Sequence, residues 1–383
     1  FWGGAFIPLL FLAGSGGVAE RNRAAVSLAL AGVAGFALIV IVLLALQGAT
    51  ATNVRPAGTL NLPELARRAG DFVRETPWLG GRARFDQWLF GLLFAALAAP
   101  IAVLPFQGRW VRTLSRSFTP ASALLAGVLA PVGVYGLLRI AVPIFPSAAA
   151  DFAFPLAILA AAGMLLGGLC ARLERDWKAL AARAAAVSMG GCLLGIATVS
   201  ETGVQGALLQ ASGGGLAFAM LLLSIGTQEG RAGGCGLGGS GGNSGGMPRG
   251  ARLAVVATLA AVSIPGFAGF WGGLTVLIAA FQAGARTPAT PAVGFAVLGL
   301  AALVGWVLAS CALIRALRGA CSGPAADATP APPDLDLCES ASLAILGAFA
   351  LALGIWPSLL LDATRSAAGL LAAILQAAAR GGG

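Results

Sequence analysis

Apolar runs long enough to cross a lipid bilayer as helices recur along the whole chain. Residues 24–47 carry no charged side chain, and in residues 120–145 the only charged one is Arg139. About 20 apolar residues in a helix cross the hydrocarbon core. The backbone groups in that core must find their hydrogen-bond partners inside the protein. The runs therefore predict an all-α polytopic membrane protein. The composition agrees, because 58% of the 383 residues are hydrophobic and only 10% are charged.

About ten transmembrane helices are predicted, and several have a proline near the middle of the membrane. Proline removes one backbone donor and clashes with the carbonyl four residues earlier. Residues 120–145, with Pro131 near their centre, are therefore predicted to span the membrane as an interrupted helix. Interrupted helices in two related halves are typical of transporters built from inverted repeats. The predicted spans are residues 1–17, 24–47, 87–106, 120–145, 152–171, 184–200, 205–225, 252–285, 291–317 and 340–361.

Four portions of the chain are predicted from its composition. Within the first portion, Leu62, Leu65 and Phe72 recur at helical spacing opposite charged residues, which indicates an amphipathic helix over residues 62–74 at the membrane surface. The four portions are a first membrane portion (1–226), a glycine-rich loop (227–250), a second membrane portion (251–361), and a C-terminal amphipathic helix with its tail (362–383).

The composition argues against several classes of functional site. Histidine is absent, and the six cysteines show neither a CxxC pair nor the spacing of a zinc site. The glycine-rich residues 227–250 lack the spacing of a phosphate-binding loop. The net charge of +9 is attributed to loops that face lipid headgroups, and no nucleic-acid partner is expected. The sequence thus predicts no catalytic site, metal site or cofactor in this chain.

Colinear motifs along the chain are similar to those of one membrane-protein family. Residues 99–110, ending LPFQGRW, are similar to AVKMPxxPxHxW, and residues 119–140, TPASALLAGVLAPVGVYGLLRI, are similar to APTAGSxxLAGxLLKxxxYGLLRF. Residues 205–210 and 264–270 resemble QGAxxQ and LPGxxGF. Together these motifs resemble the M-type antiporter-like membrane subunit (chain 4) of respiratory complex I, the NADH-quinone oxidoreductase, from about its fifth helix to its end. The resemblance implies that the first helices of that fold are missing from this sequence.

The chain departs from this family at the positions that matter most for proton transfer. In the family, proton movement is thought to use buried glutamate, lysine and histidine residues. The resemblance places a different residue at each such position, at Gly3, at Ala99 or Pro100, and at Pro131, Ser188, Gly214 and Gly273. Of the family's buried charges only one is retained, at Lys178, which is also the only lysine of the chain.

Proton relay across a bilayer needs groups that bind and release protons. The predicted spans contain no Asp, Glu, Lys or His away from their ends, and arginine keeps its proton in proteins. Four residues are candidates for the remnant of a proton path: Lys178, Glu174, Arg139 and Tyr135. Three of them have a simpler interpretation. Lys178 and Glu174 have the spacing of an i,i+4 ion pair at the membrane surface. Arg139 is most simply an arginine whose long side chain carries its charge to the membrane interface.

Three functions remain open at this stage. The first is a proton-inactive scaffold in the membrane arm of a complex I-type NADH:quinone oxidoreductase, where NADH, flavin, iron–sulfur clusters and quinone belong to partner subunits. The second is a proton-translocating subunit of the same complex. The third is a subunit of a related cation/proton antiporter. The resemblance implies other membrane-arm subunits and lipids as partners. It also implies a multi-pass location in an energy-transducing membrane, either the bacterial inner membrane or the mitochondrial inner membrane.

Overall fold

The computed structural model describes residues 2–14, 19–51, 58, 60–68, 85–232, 247–286, 292–322 and 333–381. The secondary-structure elements of these residues are helices. The first seven are α1 (Trp2–Gly14), α2 (Ala19–Thr50), α3 (Leu62–Arg67), α4 (Phe85–Ile101), α5 (Gln107–Arg116), α6 (Thr119–Ile144) and α7 (Pro146–Asp151). The others are α8 (Ala153–Leu173), α9 (Trp177–Ala197), α10 (Glu201–Ala232), α11 (Pro248–Ala261), α12 (Ala268–Arg286), α13 (Ala292–Ser322), α14 (Leu337–Ile355) and α15 (Ser358–Gly381).

The all-α polytopic fold is confirmed. Among the described residues, eight helices are long and apolar enough to cross a membrane: α2, α6, α8, α9, α10, α13, α14 and α15. Three shorter apolar helices, within α1, α4 and α12, accompany them. Helices α8, α9, α10, α12 and α13 pack tightly against one another and form the centre of the molecule.

Helix α4 is interrupted and continues as α5. Ile101 ends α4, and Ala102 takes a left-handed conformation with φ 60°, which is uncommon for a residue other than glycine. The backbone nitrogen of Val103 then donates to the carbonyl of Ala98 at 3.4 Å. This hydrogen bond caps one of the carbonyls that the interruption leaves without a helical partner. The chain resumes its helix at Gln107.

The same device recurs between α11 and α12. Ser263 is left-handed, with φ 62°, and the backbone nitrogen of Ile264 donates to the carbonyl of Leu259 at 3.2 Å. The left-handed residue and the two hydrogen-bonded residues keep the same relative positions in both interruptions. The predicted span 252–285 is therefore interrupted, and its match to the α4–α5 interruption agrees with two related halves.

The interruption predicted in residues 120–145 is wrong, because Thr119–Ile144 forms one continuous helix. Helix α6 is continuous, and each of its two inner prolines follows a π-helical turn: Leu125–Leu129 before Pro131, and Leu137–Ala141 before Pro143. The nitrogen that closes each turn donates to a carbonyl five residues back. A π turn changes the position of the carbonyl with which the proline ring would clash. The proline defect is thus absorbed inside a spanning helix without a gap.

Some boundaries differ from the predicted ones. Helix α10 continues through Ala232, so residues 227–232 are helical and not part of a loop. Two contacts hold this end: Gln228 donates to the carbonyl of Gly250, and Arg231 pairs with Glu339. Helix α14 ends at Ile355, before Pro357.

Of the surface helix predicted over residues 62–74, only Leu62–Arg67 is described as α3. Residues 69–84 and 233–246 lie outside the described residues, and the division into four portions stays a prediction.

Glycines allow α8 and α13 to cross at backbone contact. A Cβ atom built on Gly168 would overlap the carbonyl oxygen of Gly305. A Cβ on Gly163, on the same helix, would meet its nearest atom at 3.8 Å, an ordinary contact. The close approach therefore depends on Gly168 itself and not on small residues along α8 in general.

Gly168→Ala should lower the stability of the folded protein. The added methyl group meets backbone that cannot rotate away, so α8 and α13 must separate, and overpacking of this kind costs about 1–3 kcal/mol. Gly163→Ala is the matched control on the same helix and should leave stability nearly unchanged. Thermal unfolding of the purified protein in detergent measures both. Equal melting temperatures for the two variants would contradict the proposed crossing.

Asp334, in the segment before α14, caps α11 from a distant part of the chain. Its carboxylate accepts hydrogen bonds from the backbone nitrogens of Arg249 at 3.1 Å and Gly250 at 3.2 Å, and from Leu335 at 2.9 Å. Desolvation raises the pKa of this carboxyl group, but the three hydrogen bonds and the charge of Arg249 outweigh it. The pKa therefore lies below its ordinary value.

Asp334→Asn should lower the melting temperature at neutral pH by a few degrees. A carboxyl group whose pKa is depressed in the folded state stabilises that state above its unfolded pKa, about 3.9. The stabilisation is lost as the pH falls through the folded pKa. The difference between wild type and variant should therefore shrink on acidification below pH about 4. Asp362→Asn, at an exposed position on α15, is the control. A difference that stays constant down to low pH would be the contrary result.

Candidate functional site

Lys178 lies buried in the first turn of α9, with 5% of its surface exposed. Asp176 caps this helix, because its carboxylate accepts from the backbone nitrogens of Lys178 at 2.8 Å and Ala179 at 3.3 Å. The lysine ammonium group donates to the carbonyl oxygen of Ser117 at 2.6 Å. Ser117 follows the last residue of α5, so the lysine joins α9 to the end of the interrupted helix.

The predicted ion pair between Lys178 and Glu174 is wrong in its geometry. The two residues do not share a helix, because α8 ends at Leu173 and Glu174 is extended. The Glu174 carboxylate instead pairs with the guanidinium of Arg183 on α9. The spacing of Glu174 and Lys178 predicts an i,i+4 ion pair only if the connector between α8 and α9 is helical, and it is not.

Arg139 and Tyr135, the other two candidates, lie on the outer face of α6. Both side chains are exposed, Tyr135 by 56%. The structure therefore does not bring them together with the buried Lys178. The outer face is where an arginine whose charge reaches the interface is expected to lie.

Three of the family positions meet at one place in the centre of the molecule. Ser188 lies on α9, Gly214 on α10 and Gly273 on α12. A Cβ atom built on Gly214 would lie 2.6 Å from the Ser188 hydroxyl oxygen. Ser188 and Gly273 both line a small cavity, together with Gln210 and Trp306. The structure thus gathers these positions, which lie far apart in the sequence, into one buried cluster that we call the central site.

The polar group of the central site is a serine–glutamine pair. The side-chain nitrogen of Gln210 donates to the Ser188 hydroxyl at 2.7 Å, and Gln210 is only 2% exposed. In the sequence, Gln210 stands out only as the last residue of the QGAxxQ-like motif. The signal that could have found it is a long polar side chain well inside a predicted span. The pair is neutral, so it offers neither a charge nor a readily titrating group.

Aromatic rings fill the space beside Gly3 and Gly273, the two glycines at which the resemblance leads us to expect family glutamates. A Cβ atom built on Gly273 would overlap the indole ring of Trp306, which comes from α13. A Cβ on Gly3 would lie 2.8 Å from the ring of Phe36, on α2. A carboxylate at either position would need this space. Sequence reasoning missed both rings, because contacts between helices leave no local pattern.

Pro131 and Pro100 pack between helices. The resemblance leads us to expect one family lysine at Pro131 and another at Ala99 or Pro100. The Pro131 ring lies 2.9 Å from a Cβ built on Gly215, so it fills the contact between α6 and α10. Pro100, in the last turn of α4, lies 3.2 Å from a Cβ built on Gly133 of α6. Its neighbour Ala99 lines a largely apolar groove between α2, α4 and α5.

Buried charge is confined to helix ends in the part of the chain that the structure describes. There, the ionisable side chains classed as buried are Asp86, in the first turn of α4, and Lys178, in the first turn of α9, apart from cysteine thiols. The same residues include no group of three His, Cys, Asp or Glu side chains able to hold a metal ion. The central site can therefore pack helices and hold a neutral polar group.

Comparison with known proteins identifies the chain's relatives. The family described as NADH:quinone oxidoreductase/Mrp antiporter, TM, matches residues 1–299. The chain is similar to NADH-quinone oxidoreductase subunit M of Rickettsia bellii, with 30% identity over 158 residues, and of Escherichia coli K12, with 37% over 134 residues. The matched segments cover 41% and 35% of this chain, but only 31% and 26% of the two relatives.

Solved structures share the fold. A chain of respiratory complex I from Thermus thermophilus with bound NADH superposes with a TM-score of 0.79 at 23% identity, covering 98% of this chain and 74% of that one. A chain of the Mrp complex from Dietzia sp. DQ12-45-1b gives 0.78 at 21% identity, covering 96% and 74%. The predicted antiporter-like fold is confirmed.

Gly273→Ala should destabilise the protein, since its methyl group overlaps the Trp306 ring and overpacking costs about 1–3 kcal/mol. The double variant Gly273→Ala with Trp306→Leu should lose less stability than the sum of the losses in the two single variants. Gly191→Ala is the control, because it lines the same cavity and its Cβ meets its nearest atom at 3.8 Å. Thermal unfolding measures all four variants, and strictly additive effects would count against the contact.

Proposed function

Because this chain belongs to the NADH:quinone oxidoreductase/Mrp antiporter transmembrane family, we propose that it serves as an antiporter-like subunit in the membrane arm of a complex I-type assembly. In this chain the subunit acts as a scaffold and does not carry protons. The observation that supports this most directly is the overlap between a side chain at Gly273 and the indole ring of Trp306. The place where a family carboxylate is expected is occupied by an apolar ring.

The remaining family positions support the same proposal. A proton path through a membrane needs titratable groups joined by water. Ser188, Gly214 and Gly273 form a neutral cluster, while Pro131 and Pro100 pack against neighbouring helices. Lys178 is bonded to a backbone carbonyl near the end of α5. A single retained lysine, without a second group of the family's set, cannot alternate protonation along a path.

Partners and cofactors follow from the same proposal. The solved relatives come from assemblies described as respiratory complex I and the Mrp complex. Large apolar side chains are exposed along α2 and α14, among them Leu30, Val33 and Phe349. We expect them to face lipid or neighbouring membrane-arm subunits. NADH, flavin, iron–sulfur clusters and quinone belong to partner subunits, and the assembly lies in an energy-transducing membrane.

One observation favours the alternative of proton translocation. Lys178 is buried, and a buried ionisable residue in a membrane protein normally signals function. On this alternative, removing its ammonium group interrupts proton movement through the subunit. The chain of the Mrp complex resembles this fold about as closely as the complex I chain does. A substitution of Lys178 therefore also tests the alternative of a cation/proton antiporter subunit.

Lys178→Met should leave proton translocation unchanged. Methionine keeps much of the side-chain length and removes the ammonium group. The bond to Ser117 is lost, so a lower melting temperature is expected. Proton flux per NADH oxidised, measured in vesicles that contain the purified assembly, should match wild type once flux is normalised to the amount of this subunit. Lys178→Arg, which keeps the charge, controls for packing. Flux that disappears in Lys178→Met and persists in Lys178→Arg would overturn the scaffold proposal.

A further inference from the structure

The central site contains a buried hydrogen-bond acceptor that the described residues do not satisfy. The Gln210 amide uses its nitrogen to donate to Ser188, but its carbonyl oxygen Oε1 has no partner in the described part of the chain. Leaving such a group unsatisfied costs about 1–3 kcal/mol. Exchanging the two amide atoms would not remove the problem, because the nitrogen would then be the unsatisfied atom.

A small cavity adjoins this amide. Its walls are mainly apolar side chains, including Met164, Leu194, Val276 and Trp306, and Gln210 and Ser188 contribute its polar lining. The cavity has room for about one water molecule. Buried cavities of this size stay empty when they are apolar, and they hold water when polar groups line them. The size also excludes any larger ligand.

We propose that one water molecule occupies this cavity and closes a ring of hydrogen bonds. The Gln210 amide nitrogen donates to the Ser188 oxygen, the Ser188 hydroxyl donates to the water, and the water donates to Gln210 Oε1. Each group then has one role that its chemistry allows. The water receives two protein partners, the lower end of the usual range for buried water. This ring fastens α9 to α10 beside α12 without any charge.

Water fits this site better than a cation does. A hard cation takes about six or more oxygen ligands, whereas this cavity offers two neutral oxygens between apolar walls. Apart from Gln210, Ser188 and the indole of Trp306, the residues that line the cavity have apolar side chains or are glycines. The inference concerns the packing of the central site and does not depend on whether the subunit carries protons.

A high-resolution structure of the complete assembly tests the proposal directly. Density for a water within about 3 Å of Gln210 Oε1 is expected in the wild type and should be absent in Gln210→Met. Waters at other buried polar groups of the same map show that the resolution is sufficient. An empty cavity in such a map, or density with the coordination of a metal ion, would overturn the proposal.

Stability measurements give a second, independent test. Ser188→Ala removes the acceptor of the Gln210 amide nitrogen and one of the two protein partners of the water. Ser188→Ala with Gln210→Met removes both polar side chains, which is close to neutral in a buried site. The double variant should therefore melt at a higher temperature than Ser188→Ala alone. Thr258→Val, at a buried threonine of α11, is the control and should not couple to Gln210→Met. A double variant less stable than Ser188→Ala would contradict the ring. Neither test measures proton flux, so failure here leaves the scaffold proposal standing.

Discussion

Hydrocarbon offers no hydrogen-bond partner, so every polar backbone group inside a bilayer must be satisfied by the protein. The structure meets this requirement in two ways. At Ala102 and Ser263 a left-handed residue closes off a helix, and the next amide caps a freed carbonyl. In α6 the prolines are accommodated by π turns, and the helix continues. The first solution ends one helix and starts the next, and the second preserves a spanning helix through Pro131 and Pro143.

The same constraint governs side chains, because a buried charge is costly unless it is paired. At the positions where the resemblance leads us to expect buried ionisable residues, this chain has glycine, proline or serine, and neighbouring groups fill the space beside Gly3 and Gly273. Trp306 fills the place beside Gly273, and Phe36 fills the place beside Gly3. Loss of the charged groups without such filling would have left cavities, which lower stability in proportion to their volume. The packing beside Gly3 and Gly273 therefore depends on both the small residue and the aromatic ring next to it.

The apolar spans and the interruption within residues 252–285 were predictable from sequence, because apolar length and proline positions act along the chain. The interruption predicted at Pro131 was wrong, since π turns that leave no sequence pattern accommodate that proline. The convergence of Ser188, Gly214 and Gly273 was not predictable, since it depends on how α9, α10 and α12 cross. The pairing of Glu174 failed for a related reason. Its spacing fits a helix, but the chain leaves helical geometry at that residue. Contacts made by Trp306 belong to a fourth helix, and no pattern within one segment could have revealed them.

The retained lysine has a structural role that needs no proton transfer. Ser117 stands at the C-terminal end of α5, where the helix leaves carbonyl groups without helical partners and carries a partial negative charge. The Lys178 ammonium group donates to that residue's carbonyl, so it satisfies the carbonyl and complements the helix dipole at once. The hydroxyl of Ser122 donates to the carbonyl of Leu114 in the same turn at 2.7 Å. This end of α5 lies inside the protein, since Ser117 is 1% exposed, and a lysine from α9 satisfies its carbonyl. This role gives Lys178 a reason to be buried at the start of α9 that does not involve proton transfer.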